Sequence, residues 1–128
     1  MLTIKTLERP KTPNTFLIAP DGYCEHETPD ELAPVFKDLN ASALKTAFIR
    51  AIEEEPRLVT LEDNELSMEF RQRTPIIGWP DFITVYFIEL QSGGSTVAIY
   101  SRSKYGRSDF GVNRKRIQRW LTLLGNKS

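Results

Sequence analysis

The chain has 128 residues, of which 40% are hydrophobic and 27% charged, and its 17 basic residues balance 17 acidic ones. This length predicts one domain with one core, because a chain of this size buries roughly two-thirds of the surface that it exposes when unfolded. A nucleic-acid-binding domain is expected to be basic as a whole, so the neutral composition argues against a nucleic-acid partner. The single cysteine, Cys24, excludes an internal disulfide.

Charge is distributed unevenly along the chain. Residues 1–100 carry 9 Lys or Arg against 16 Asp or Glu, whereas residues 101–128 carry 8 Lys or Arg against Asp109 alone. This division predicts that the C-terminal segment meets something anionic. Two alternatives stay open at this point. The anion is either an external ligand or the protein's own acidic half, which has clusters at Glu53–Glu55 and Glu62–Glu65.

The N-terminal sequence shows no targeting or membrane-spanning pattern. Residues 1–10 are polar and of mixed charge, and the longest apolar-rich stretch, Phe82–Leu90, is too short to cross a bilayer. A chain with one cysteine needs no oxidising compartment. The prediction is therefore a soluble protein without a transmembrane segment, cytoplasmic by default.

The first fifteen residues are predicted to form an irregular arm, because Pro10 and Pro13 stand among charged residues. A short strand follows at Phe16–Ile18. The acidic stretch Asp21–Pro34 has neither helical nor strand periodicity, which predicts a surface loop.

The first helix is indicated by apolar residues that recur at helical spacing between Leu44 and Ile52. Asn40 or Ser42 is the expected N-terminal cap, since both side chains can accept a hydrogen bond from a free helix N–H group. Pro56 ends the helix because proline disfavours helical conformation at the residue before it.

Strand periodicity dominates the middle of the chain. Arg57–Leu61 and Glu65–Arg73 flank Asp63 and Asn64 and are expected to form a hairpin. An apolar connection at Ile76–Pro80 leads into the strand Phe82–Leu90, and Ser95–Arg102 is expected to pair with that strand. The inward-facing hairpin residues are predicted to be Leu66, Met68 and Phe70, and the outward-facing ones Glu65, Glu69 and Arg71.

The C-terminal helix is predicted to bury one face, formed by Ile117, Trp120, Leu121 and Leu124, with Gly125 just past its end. The order of elements predicts an α+β fold, with a mostly antiparallel sheet of about four to five strands packed by two helices. The arm would span residues 1–15, the globular domain 16–125 and a short tail 126–128. Phe82–Leu90 is largely apolar on both sides, so the side away from the helices is expected to need another layer or a ligand.

Three segments resemble the family called domain of unknown function 1499. The strongest motif comprises Ser101-Arg102-Ser103, Gly106, Ser108-Asp109-Phe110-Gly111-Val112-Asn113-Arg114 and Arg116. Weaker similarity lies in Pro13-Asn14 with Phe16-Leu17 and in Trp79-Pro80-Asp81-Phe82.

The resemblance implies neither a reaction nor a ligand. Some members have a cysteine after the Pro-Asn pair, where this chain has Thr15, so a role that depends on that cysteine does not transfer. Members often carry an N-terminal membrane or export segment. The protein would be membrane-associated or exported if its native chain has one.

The cationic turn and helix start at residues 102–116 are the main candidate site. Free N–H groups at a helix N-terminus attract an anion, and cations in the first turn oppose the helix dipole unless something anionic compensates. An anionic small molecule, a lipid headgroup or an acidic protein partner fits this surface. The predicted anion-binding residues are Arg102, Lys104, Arg107, Asn113, Arg114 and Arg116.

Structural roles are predicted for a few residues around the same turn. Asp109 is expected to be a cap or an arginine partner, and Gly111 and Trp120 to maintain the local fold. Asn113 can also be read as the helix cap.

A non-catalytic binding module is the favoured prediction, because no catalytic set is evident. The only histidine, His26, lies two residues from Cys24 without companion ligands elsewhere, so neither a metal nor a cofactor is predicted. The alternative is a small hydrolase-like enzyme with a pocket near Asp81, Asp109 and Arg102.

Overall fold

A six-stranded sheet and two helices form the architecture, which the computed structural model describes for residues 1–104 and 111–127. A single 3-10 turn at Ile4–Thr6 precedes the first strand. The strands are β1 (Thr15–Ala19), β2 (Glu31–Leu32), β3 (Leu58–Asp63), β4 (Ser67–Arg73), β5 (Pro80–Glu89) and β6 (Ser95–Ser103), and the helices are α1 (Ala41–Ile52) and α2 (Val112–Lys127). The predicted α+β class with two helices is confirmed.

The sheet has the order β2-β1-β6-β5-β4-β3, and each neighbouring pair is antiparallel except β1 with β2. The prediction of four to five strands is wrong, because β2 adds a sixth within the stretch predicted to be a surface loop. Glu31 and Leu32 are both exposed. A two-residue strand of this kind has no burial pattern by which the sequence could reveal it.

The cap residue explains where the first helix begins. The Asn40 side chain accepts a hydrogen bond from the Ala43 N–H group at 2.8 Å, as one of the two proposed caps would. The helix ends at Ile52, before Pro56. Leu44, Phe48 and Ile52 lie on its buried side, which packs on the sheet.

The hairpin of β3 and β4 is confirmed, with a bulge between Thr60 and Glu62. Met68 and Phe70 face the helices and are buried, as predicted. Glu69 points to the other face but is not solvated. It is buried, and it accepts a hydrogen bond from Thr84 Oγ1 at 2.6 Å.

Both helices cover one face of the sheet, which we call the helix face. Four aromatic rings from α1, α2, β4 and β5 meet there, and Trp120 makes edge contacts with Phe48 and Phe70 at ring-centroid distances of 5.7 and 5.8 Å. Trp120 is fully buried, and its indole Nε1 donates to Glu55 Oε1 at 2.7 Å. The ring therefore ties α2 to the sheet and to the end of α1.

The opposite side, the outer face, is covered in part by the N-terminal segment. Ile4 and Leu7 are buried there against Leu17 and Tyr100, and the Tyr86 hydroxyl donates to the Leu2 carbonyl at 2.8 Å. The additional layer expected over the strand Phe82–Leu90 is therefore this segment. The division into an arm, a domain and a tail stays a prediction.

Two glycines near the ends of α2 differ in their roles. Gly111 precedes the helix with φ of +78°, a conformation that favours glycine. Gly125, expected just past the helix end, lies inside it because α2 continues to Lys127. Neither helix, over the ranges that the structure describes, is long and apolar enough to traverse a bilayer.

Truncation of Trp120 tests how α2 packs. Trp120→Ala should lower the free energy of unfolding by roughly 3–5 kcal/mol, because it removes a large buried side chain from the centre of the core. Urea melts would measure the loss. Trp120→Phe, which retains an aromatic ring, should cost clearly less, and equal costs for both variants would contradict this packing.

Candidate functional site

Residues from all three segments that carry the family resemblance meet in one buried polar cluster on the helix face. Asn14 comes from the loop before β1, Asp81 from β5, Ser101 from β6, and Asn113 and Arg116 from α2. All five residues are buried. We call this set, together with Ser103 and Gln72, the polar junction.

Arg116 is the centre of the polar junction. Its guanidinium Nη2 lies 2.6 Å from Asp81 Oδ2, and its Nε donates to Gln72 Oε1 at 2.6 Å. Only 4% of the Arg116 side chain and 2% of the Asp81 side chain are exposed. Burial lowers the pKa of the Arg116 guanidinium, and the Asp81 carboxylate acts in the opposite direction.

Asn113 connects α2 to β6 and to the loop before β1. Its Oδ1 accepts hydrogen bonds from Ser101 Oγ at 2.6 Å and from Arg116 Nη1 at 2.8 Å. Its Nδ2 donates to the Asn14 carbonyl at 2.9 Å and to Ser103 Oγ at 3.1 Å. Asn113 lies inside the first turn of α2, which begins at Val112, and its role as the helix cap stays a prediction.

The polar junction continues into a second cluster at the end of α1. Gln72 Nε2 donates to Glu55 Oε1 at 3.2 Å, and Arg119 Nη2 approaches the same oxygen at 2.7 Å. Burial is the largest influence on the Glu55 carboxyl and raises its pKa, but hydrogen bonds from Arg119, Trp120 and Gln72 outweigh it and hold the pKa below its usual range. Sequence analysis missed Gln72, which carries no motif, but named Glu55 as part of the acidic cluster Glu53–Glu55 that could meet the C-terminal cations.

Arg102 lies on the outer face, away from the polar junction. Its Nη1 donates to Thr84 Oγ1 at 2.6 Å, and its Nη2 lies 3.3 Å from Glu69 Oε2. The guanidinium carbon is 5.1 Å from the ring centroid of Tyr100 and 5.9 Å from that of Phe82. These contacts hold the cation in a fixed position on the sheet.

The other predicted site residues are dispersed. Lys104 is exposed at the end of β6, where its N–H donates to the Pro80 carbonyl at 3.3 Å. Arg114 is exposed on α2, with its Nη2 at 3.6 Å from Glu31 Oε1. Arg107 and Asp109 lie outside the described residues. The anion-binding role of this set stays a prediction.

The antiparallel strands β4 and β5 form a second hairpin, which is closed by residues 74–79. We call this loop the hairpin tip, and its surface is unusual. Ile76 is fully exposed, and 65% of Ile77 and 39% of Trp79 are exposed. Ile76 has φ of +68°, which is strained for a β-branched residue. The sequence shows the apolar residues but predicts only a connection there.

The hairpin tip is held at its base by polar contacts. Arg73 Nη1 donates to the Gly78 carbonyl at 2.9 Å, and the Trp79 N–H donates to Thr74 Oγ1 at 2.9 Å. Arg57 Nε donates to the Arg73 carbonyl at 3.0 Å, which brings a second guanidinium to the same end of the sheet. The apolar tip is therefore flanked by cations.

Two of the described acidic side chains near this end are paired with arginines of α2. Asp81 is bound to Arg116, and Glu55 to Arg119. Glu53 and Glu54 follow α1 and are exposed. Among the described residues no group of three His, Cys, Asp or Glu side chains is arranged to hold a metal ion.

Comparison with known proteins identifies the family. The model of the family described as protein of unknown function (DUF1499) matches residues 6–124. No curated protein matches the sequence. The match covers both the polar junction and the hairpin tip.

Breaking the buried ion pair tests the polar junction. Asp81→Asn should destabilise the fold by roughly 3–5 kcal/mol, because it leaves the Arg116 guanidinium buried without its counter-charge. Urea melts of Asp81→Asn, Arg116→Met and the double variant would give the coupling energy. We expect the double variant to lose less stability than the sum of the single losses, whereas strict additivity would show that the pair does not act as a unit.

Proposed function

We propose that this chain, which belongs to the family described as protein of unknown function (DUF1499), is a non-catalytic binding module that docks on an anionic lipid surface. The hairpin tip would enter the headgroup region, and the cations beside it would meet the lipid charges. The proposal selects the lipid headgroup among the anionic ligands expected for residues 102–116. It moves the centre of the binding surface from the start of α2 to the hairpin tip.

The observation that carries the proposal is the exposure of Ile76 and Ile77. Contiguous exposed apolar side chains are costly in water and are typical of surfaces that dock on a partner or a membrane. Ile76 also holds a left-handed backbone conformation, which costs a non-glycine residue about 1–2 kcal/mol. Neither feature stabilises the fold, and such strain clusters at functional sites.

Charge supports a lipid surface over a neutral partner. Arg57, Arg73 and Lys104 reach the end of the sheet from which the hairpin tip projects, and residues 74–79 themselves contain no acidic side chain. A cation near an anionic bilayer contributes about 1 kcal/mol of binding free energy. Apolar side chains combined with cations are the composition of interfacial membrane anchors.

Cations in residues 102–116 contribute less to the proposed lipid binding than the hairpin tip does. Arg116 is buried with Asp81, and Arg102 is paired with Glu69, so the protein's own carboxylates neutralise part of this segment's charge. The internal alternative thus accounts for Arg116, and for Arg102 only in part, because its contact with Glu69 is longer. Lys104 is the predicted site residue that lies next to the hairpin tip.

The geometry gives the hydrolase-like alternative no support. Asp81 points to the helix face and contacts Arg116, whereas Arg102 points to the outer face and contacts Glu69. Asp81 is the register partner of Ser103, and Arg102 precedes Ser103 on β6. Because consecutive residues of a strand project to opposite sides of the sheet, the Asp81 and Arg102 side chains do not share a pocket. Asp109, the third residue of that set, lies outside the described residues.

Vesicle binding by paired serine variants tests the proposal. Ile77→Ser should weaken binding to vesicles that contain phosphatidylserine by about tenfold or more, because burial of one such side chain is worth about 1.5–3 kcal/mol. Leu32→Ser is a matched control, since Leu32 is 64% exposed against 65% for Ile77 but lies on the far edge of the sheet. Co-sedimentation at low ionic strength would measure both.

Three results would contradict lipid docking. The first is an absence of binding by the unaltered protein, and the second is equal binding to vesicles of phosphatidylcholine alone. The third is an equal loss for Leu32→Ser and Ile77→Ser, which would show that general hydrophobicity rather than the hairpin tip governs binding.

The variant Ile76→Gly tests whether the Ile76 side chain serves vesicle binding rather than stability. Ile76→Gly relieves the left-handed strain but raises the entropy of the unfolded chain, so we expect the free energy of unfolding to change by less than about 1 kcal/mol. Vesicle binding should nevertheless fall, because the exposed side chain is lost. A marked loss of stability in urea melts would contradict the conclusion that this side chain contributes nothing to the fold.

A further inference from the structure

A row of side chains crosses the outer face next to the hairpin tip. Arg71 on β4 is the register partner of Phe82 on β5, Phe82 that of Arg102 on β6, and Arg102 that of Thr15 on β1. Register partners on neighbouring strands project to the same face. We call Arg71, Phe82 and Arg102 the outer row.

The outer row contains a guanidinium nitrogen that has no hydrogen-bond partner among the described residues. Arg71 Nε is buried and, within the described part of the chain, has no hydrogen-bond partner. A buried donor without an acceptor is costly, so such groups are rare in folded proteins. Glu69, two positions along β4 on the same face, is occupied by Thr84 and Arg102.

The second cation of the outer row, Arg102, is held in place by neighbouring side chains. Arg102 is fixed by Thr84, Glu69 and the rings of Phe82 and Tyr100. One strand, β5, lies between Arg71 and Arg102, so their backbones are two inter-strand spacings or about 10 Å apart, with the Phe82 ring between them. Two long guanidinium side chains can converge on one anion over this gap.

A depression extends the outer row toward the N-terminal segment. It has a volume of about 520 Å³, and Thr15, the register partner of Arg102, is part of its wall. Its other charged groups are Lys11, the carboxylates of Glu27 and Asp30, and Arg9, which is paired with both carboxylates. The depression borders Thr15, one strand beyond Arg102, and a ligand body longer than one inter-strand spacing would reach it from the outer row.

We infer that the outer row is a binding site for a phosphate group, held between Arg71 and Arg102 above Phe82. Guanidinium groups bind phosphate through paired, charge-assisted hydrogen bonds, and a reorientation of the Arg71 side chain toward the phosphate would give its Nε the acceptor that it lacks among the described residues. This inference rests on the proposed function and names the chemistry that the surface recognises.

The position of the outer row agrees with lipid docking. Arg71 and Phe82 lie two residues inside Arg73 and Pro80, the last register pair before the hairpin tip, which is about 7 Å along the strands. Interfacial anchors bury their apolar side chains about 5–10 Å into the headgroup region. An inserted hairpin tip therefore brings the outer row to the level of the lipid phosphates.

Titration of the full chain with inorganic phosphate and with water-soluble dihexanoyl phosphatidate tests the site. Amide resonances of the outer row should shift saturably with both probes in nuclear magnetic resonance spectra. Arg71→Met, which keeps most of the side-chain volume, should weaken the binding of both probes by about tenfold or more. Arg71→Lys, which keeps the charge but loses the paired geometry, should bind with intermediate affinity.

Lys37→Met is the charge-matched control, because Lys37 is exposed beside the start of β6, at the other end of the sheet. Its affinity for phosphate should stay within about twofold of the unaltered protein, since distant exposed charges are screened. Absence of saturable shifts at the outer row would overturn the inference. An equal loss for Lys37→Met and Arg71→Met would also overturn it, because the effect would then be one of net charge.

Vesicles and the Ile77→Ser variant distinguish this inference from the proposed function. Ile77→Ser should retain its affinity for inorganic phosphate while losing vesicle binding. Phosphate binding at the outer row without vesicle binding would identify a soluble phosphate ester as the ligand and contradict lipid docking. Vesicle binding without phosphate shifts at the outer row would refute the phosphate site and leave lipid docking intact.

Discussion

The buried ion pair between Arg116 and Asp81 is the constraint on which the rest of this structure depends. A guanidinium taken out of water must have its donors satisfied, and here the acceptors come from β4, β5 and β6 and from the first turn of α2 itself. Together these bonds fix the placement of the helix on the sheet. That placement also sets Trp120, about one turn further along, into the aromatic core and within reach of Glu55.

Strand alternation divides the cationic motif between two environments. Ser101 and Ser103 face the helices and join the polar junction, whereas Arg102 between them faces outward. A single short segment thus contributes both to the interior of the protein and to its surface. Asp81 and Phe82 divide in the same way on the neighbouring strand. This explains why a motif rich in charge need not form one continuous charged patch.

The interior and the end of the sheet at the hairpin tip differ in how well their side chains are matched by protein contacts. In the polar junction Arg116 is saturated with protein partners, and at the neighbouring cluster hydrogen bonds outweigh the cost of burying Glu55. At the tip, Ile76 combines full exposure with a strained backbone. Two residues inside the base of the tip, Arg71 Nε is buried and has no acceptor in the part of the chain that the structure describes. Unsatisfied groups concentrated at one end of a well-satisfied fold indicate where a partner would contribute the missing contacts.

The sequence by itself determined the elements whose signals are local. Helical and strand periodicity, the Asn40 cap and Pro56 predicted α1, the β3–β4 hairpin and the α+β class, because each depends on residues close together in the chain. Tertiary structure alone decided the exposed strand β2, the N-terminal layer on the outer face and the partners of Arg116. A basic run has the same local pattern whether its side chains are solvated or buried. Only the approach of distant strands, which bring Asp81 and Gln72 to Arg116, determines which of the two occurs.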